Sequence, residues 1–189
     1  TSKIGPNAFE KCDSLIKIIG IDDETVVSLP SSGLVVAIKK GVTELCDFSF
    51  KDCTNLTEIV LPESINSIGN KTFSGCSAVQ TISIPESILE IKTDAFAGCN
   101  LIQYTQYQNG YYFGNSNNQY LVFVGFVEKS RTYTLHEDTK ILLANSFKNI
   151  TDLSTIIIPE GITYIGANNF YSYYSFANIR IPVPKGILL

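Results

Sequence analysis

Ile68-Gly69-Asn70-Lys71-Thr72-Phe73-Ser74-Gly75-Cys76-Ser77-Ala78-Val79-Gln80-Thr81-Ile82-Ser83-Ile84-Pro85 is the stretch on which the fold turns. Gly69 suits a turn with positive φ. Phe73 and Cys76 lie three apart, on one face of a single helical or 3₁₀ turn. Ile82 and Ile84 alternate with Thr81 and Ser83, the period of a strand with one buried side. Pro85 stops that strand, because it has no amide to donate to a ladder. Ile88 and Ile91 then lead inward to the next turn.

The same pattern recurs every 23 residues: Phe50, Phe73 and Phe96 are followed by Cys53, Cys76 and Cys99, and Phe147 and Phe170 keep the step. A unit this short cannot bury its own apolar face, so it must stack on copies of itself as a solenoid. Six copies are expected, centred on Phe9, Phe50, Phe73, Phe96, Phe147 and Phe170. The long gaps between Phe9 and Phe50 and between Phe96 and Phe147 read as insertions after a strand, over about residues 19–34 and 105–132. The second carries Gly110-Tyr111-Tyr112-Phe113, an Asn/Gly-rich turn and Tyr120-Leu121-Val122-Phe123-Val124, the signature of a β-hairpin. After Cys99 the register slips by one, leaving open whether Tyr104 or Thr105 points inward.

The composition suits a folded chain with 44% apolar and only 17% charged residues. A net charge of −4 with no Lys/Arg stripe argues against a nucleic-acid partner. No apolar run reaches the roughly 18–20 residues that span a bilayer, so no membrane insertion is expected. The 189 residues form a single solenoid domain, read as a fragment of a longer array because Thr1 opens inside a repeat.

The copies at Ile68-Gly69, Ile84-Pro85 with Ala95-Phe96-Ala97-Gly98-Cys99, Ile158-Pro159 and Ile165-Gly166 resemble the BspA-like leucine-rich repeats. Ile150 and Tyr173 stand where that pattern favours Cys, and Leu45-Cys46 replaces Ile-Gly. The resemblance implies surface or secreted proteins of host-associated bacteria and parasitic protozoa, implicated in adhesion to host cells, extracellular matrix or other microbes. The expected fold is an α/β repeat solenoid: leucine-rich-repeat-like coils of 23 residues, a parallel sheet on one face, short helical or 3₁₀ turns and two hairpin-type insertions.

No catalytic, cofactor-binding or metal site is expected. His136 is the single histidine, at a position that reads as an exposed turn. Cys12, Cys53, Cys76 and Cys99 fall one per coil, unlike the clustered ligands of a zinc site, and read as free structural thiols. Cys46 lies outside that ladder and is the thiol expected to be exposed. Binding is expected instead on the outward strand residues Lys17, Ile19, Glu58, Val60, Thr81, Ser83, Thr155, Ile157, Asn178 and Arg180. The apolar ones are also explained by β-propensity alone. Tyr104, Tyr107, Tyr111, Tyr112, Phe113 and Tyr120 form the second candidate surface, unless they pack the hairpin onto the solenoid. The readings of function are a protein-binding adhesion module, an intracellular scaffold, or, more weakly, a carbohydrate-binding or carbohydrate-active protein. The apolar end coils, Ile4 at one end and Ile179 to Leu189 at the other, imply weak end-to-end self-association.

Overall fold

A computed structural model describes residues 2–13, 15–21, 34–148, 150, 153–170 and 178–180. They form a β-solenoid of about five turns. Each regular coil has three stacked sides. One is a ladder of very short parallel strands, β1 (Ser2–Ile4), β4 (Val42–Leu45), β6 (Ser67–Ile68) and β8 (Glu90–Ile91), in that order. Leu45 pairs with Ile68 and Ile68 with Ile91, all three fully buried. A second parallel ladder has the order β3 (Leu34–Lys39), β2 (Leu15–Ile21), β5 (Glu58–Val60), β7 (Thr81–Ser83). The sequence reading placed one sheet on one face. Ile91, taken as a return to the core, instead belongs to the first of these two ladders through β8.

The third side holds the phenylalanines, and here the structure corrects the helical reading. Among the described residues there is no helix, so this part of the chain is all-β rather than α/β. The reason lies in the backbone two residues before and after each Phe. Phe48, Lys71, Asp94 and Asn145 have φ of 61°, 52°, 58° and 64°. Asp52, Gly75 and Gly98 follow at 60°, 81° and 82°. A right-handed helix would satisfy its amides internally. The alternation instead turns every second N–H toward the next coil. Phe48, Phe50 and Asp52 donate to the carbonyls of Asn70, Thr72 and Ser74 at 2.9, 2.9 and 2.8 Å. Each left-handed non-glycine costs about 1–2 kcal/mol, which a backbone hydrogen bond of about 1 kcal/mol and the Phe burial it permits offset. The rings of Phe9, Phe50, Phe73 and Phe96 stack at 4.8, 5.3 and 5.5 Å with planes within 11° of parallel.

The two insertions behave differently. β2 and β3 pair in parallel, with Ile18 opposite Val36 and Ile19 opposite Ala37, so the strands on either side of the first are not paired as a hairpin. The second is antiparallel: β9 (Thr105–Tyr107), β10 (Gly110–Phe113) and β11 (Val122–Phe126) follow one another. Then β11 rejoins the parallel stack beside β13 (Ile141–Leu142) and β15 (Tyr164–Ile165). Strands β12 (Thr132–Thr134), β14 (Thr155–Ile157) and β16 (Asn178–Arg180) form a separate parallel sheet. The hairpin is a seam between two apolar cores: Phe113, Leu121 and Val122 face the N-terminal one, Tyr112 and Phe123 the C-terminal one.

Candidate functional site

The outward strand positions follow the expected alternation. Buried Ile59 lies between half-buried Glu58 and Val60, and buried Ile156 between half-buried Thr155 and Ile157, which is 46% exposed. Thr81 is exposed and Ser83 half-buried. Lys17 is paired with Glu58 and Glu58 with Thr81 across β2, β5 and β7. Ile19 lies on β2, and Asn178 and Arg180 on β16 opposite Thr155 and Ile157. The side chains of Lys17, Ile19, Asn178 and Arg180 lie outside the described residues.

These positions do not form one strip. Strand β7 ends the sheet that holds Val60, because β9 swings away to pair with β10. The edge position leaves Ile82 only half-buried. Val60 and Ile157 therefore sit on two separate sheets. The second sheet adds Thr132 and Thr134, opposite Thr155 and Ile157 and both exposed. Sequence reading missed them by ending the second insertion at residue 132. Their alternation about buried Tyr133 was the available signal.

The hairpin aromatics divide. Tyr112 and Phe113 are buried at 1% and 3% exposure, so they hold the hairpin to the cores rather than lying open on its surface. Tyr107, Tyr111 and Tyr120 are half-buried and Tyr104 is exposed. The structure also corrects His136. Its ring stacks on Tyr120 at 3.7 Å and meets Tyr107 edge-on at 4.5 Å, leaving the side chain 15% exposed rather than free at a turn. Its Nδ1 accepts from the Asp138 amide at 3.2 Å, and its own amide donates to Tyr112 Oη at 3.2 Å. Burial pushes the Tyr112 phenol up to about 12.

The thiols are structural. Cys53, Cys76 and Cys99 donate to the carbonyls of Phe9, Phe50 and Phe73 at 2.9, 3.1 and 3.2 Å. The Cys53 thiol alongside and then burial push Cys76 far above the ordinary thiol range, and burial pushes Cys99 up to about 12. Neither can supply a thiolate nucleophile near neutral pH. Cys46 and Cys12 are both half-buried. Among the described residues no group of His, Cys, Asp or Glu side chains could hold a metal ion, and no helix is long and apolar enough to cross a membrane.

Short coils joined by parallel ladders, each with one buried Phe on a tight turn, define a repeat solenoid of the leucine-rich kind. The chain belongs to the BspA type leucine rich repeat region family, six copies of which match residues 34–125 and 119–186. That membership points to a protein-interaction module. A leucine rich repeat protein of T. pallidum is 19% identical, the match covering 89% of this chain and 60% of that one with a TM-score of 0.43. A leucine rich cell surface protein of Faecalibacterium prausnitzii is 18% identical, with 96% and 58% covered and a TM-score of 0.39. The match to these two proteins thus spans about three-fifths of their length. No curated protein matches the sequence.

Proposed function

We propose that the chain is a non-enzymatic protein-binding module of a cell-surface or secreted protein, and that it serves adhesion to host cells, extracellular matrix or other microbes. The observation that carries this reading is Ile157: a branched apolar side chain 46% exposed, flanked by buried Ile156 and Ile158, on a parallel sheet. Exposed apolar groups on a rigid repeat surface are what a protein partner buries. Val60 supplies a similar position on the other sheet, and Thr81, Thr132, Thr134 and Thr155 supply polar groups around the two. Tyr104 and Tyr111 on one side of the hairpin, and Tyr107 and Tyr120 on the other, add aromatic groups of the kind interfaces favour.

The test is binding to a panel of immobilised matrix proteins beside a Val60→Glu/Ile157→Glu variant with an unchanged circular dichroism spectrum. Saturable binding weakened at least tenfold in the variant supports the strand faces. Full binding by the variant refutes that placement, and no binding by either refutes matrix adhesion for these coils. An intracellular scaffold on the same solenoid is the second reading. It is favoured by the five free cysteines, since secreted proteins commonly oxidise such thiols.

A further inference from the structure

The Phe turns are joined coil to coil by every second amide. Lys71, Phe73 and Gly75 donate to the carbonyls of Thr93, Ala95 and Ala97 at 3.1, 2.8 and 2.8 Å, repeating the bonds of the preceding coil. The equivalent amides of the next turn belong to Asp94, Phe96 and Gly98. Asp94 and Gly98 keep the left-handed conformation of their counterparts, so the three amides point onward along the stack. No described residue accepts from them. The turn that would have done so is replaced by β10 and β11.

Beyond the insertion the Phe147 turn resumes, with Asn145 at φ 64°. The carbonyls of Ala144, Ser146 and Lys148 correspond to those of Asn70, Thr72 and Ser74 in the regular stack; Ser146 lies against Gly125 of β11, and Ala144 borders the break. A cleft of about 220 Å³ separates the two turns, lined by Phe96 and Ala97 on one side, Leu143 and Ala144 on the other, with Tyr104 and Phe113. Phe113 meets the Phe96 ring edge-on at 5.4 Å and 76° instead of stacking on it. Phe96 is accordingly half-buried, whereas Phe50 and Phe73 have no exposure at all.

We propose that this break in the solenoid is a binding cleft for an extended peptide segment of a partner protein. The segment takes the place of the missing turn. Its carbonyls accept from Asp94 and Phe96, an amide donates toward Ala144, and one large apolar side chain lies against the open side of the Phe96 ring. A row of main-chain donors spaced at every second residue, with Ala144 on the opposite wall, is complementary to a polypeptide backbone. That is the physics of strand addition. The commitment to a peptide comes from the neighbouring coil junctions, where backbone carbonyls take the equivalent amides. The inference rests on the reading of the chain as a protein-interaction module, but uses a surface distinct from the strand faces.

The probe is a displayed library of random linear heptapeptides, selected on the whole chain and on two variants. Ala97→Trp fills the cleft from an exposed position. Val60→Glu/Ile157→Glu alters only the strand faces. Selection of peptides sharing one aromatic or large aliphatic position, with affinity at least tenfold lower for Ala97→Trp and unchanged for the double variant, supports the cleft. So do ¹⁵N shifts on peptide addition at Asp94 and Phe96 but not at Phe50. Should Ala97→Trp fail to fold, Ala97→Arg provides the same block. Absence of selected peptides, binding insensitive to both blocks, or unmoved amides overturns the proposal. Self-association abolished by Ala97→Trp overturns it in favour of a second copy as occupant. Matrix binding lost only in the double variant leaves the module reading standing while the cleft fails.

Discussion

Phe73→Ala tests the ring stack most directly. Phe73 is fully buried, with Phe50 at 5.3 Å and Phe96 at 5.5 Å on its two faces, at interplanar angles of 11° and 7°. Truncation removes the burial of one ring and leaves a cavity that two coils share. Such cavities collapse poorly, because the inter-coil hydrogen bonds of Phe50 to Thr72 and of Phe73 to Ala95 hold the turns apart. The expected cost is about 3–5 kcal/mol, within which two lost ring contacts contribute roughly 0.5–1.5 kcal/mol each. For a domain of this size that lowers the melting temperature by about 6–20 °C. The internal control is Phe96→Ala. Phe96 keeps one stacked neighbour, meets Phe113 edge-on and is half-buried, so its truncation should cost about 1–2 kcal/mol less. Urea unfolding followed by circular dichroism gives both numbers. A Phe73→Ala cost below about 1.5 kcal/mol, or an equal or larger cost for Phe96→Ala, would refute the reasoning that the stack carries the stability.

Gly69→Ala should destabilise by about 1–3 kcal/mol, since a Cβ there would lie 2.5 Å from the Asp47 amide nitrogen and 2.7 Å from the Cys46 carbonyl carbon. Gly5→Ala meets nothing within 4 Å and should stay within about 0.5 kcal/mol of the parent; equal denaturation midpoints for the two variants would contradict this. Asp47 binds the Asn70 amide at 2.7 Å and the Asn70 side chain at 3.0 Å, and those bonds, the side-chain one foremost, hold its carboxyl below the usual range against the opposing effect of burial. A depressed carboxylate contributes stability that is full above the unfolded value near about 4 and is lost as pH falls through the folded value. The acid decline in stability below about pH 4 should therefore be shallower in Asp47→Asn; identical acid limbs for the two proteins would remove Asp47 from that account.

The period of 23 was enough to establish stacking, the identity of the buried Phe, Ile and Cys residues, and the alternation at Glu58-Ile59-Val60 and Thr155-Ile156-Ile157. Those are consequences of side-chain pattern, and pattern is local in the chain. Membership of the BspA type leucine rich repeat region family was legible for the same reason. The helical reading of the turn failed because Phe73 and Cys76 are three apart in a helical turn and also in a pair of tight turns. What distinguishes them is the left-handed φ at Lys71 and Gly75, and only the glycine hinted at it.

Other features depended on tertiary structure alone. Whether Tyr112 and Phe113 met solvent or core could not be read from a hairpin pattern, because strand alternation assigns two sides without saying which neighbours cover them. Here the two sides of β10 face two different cores, and both residues are buried. His136 became a packed ring because β9 and the segment leading to β11 bring Tyr107 and Tyr120 against it from distant parts of the chain. The division of the strand face into two sheets, and the open row of amides beside Phe96, arise where the insertion displaces one coil's turn. The repeat dictates what each coil offers to its neighbour; which coil becomes that neighbour is decided only when the chain packs in three dimensions.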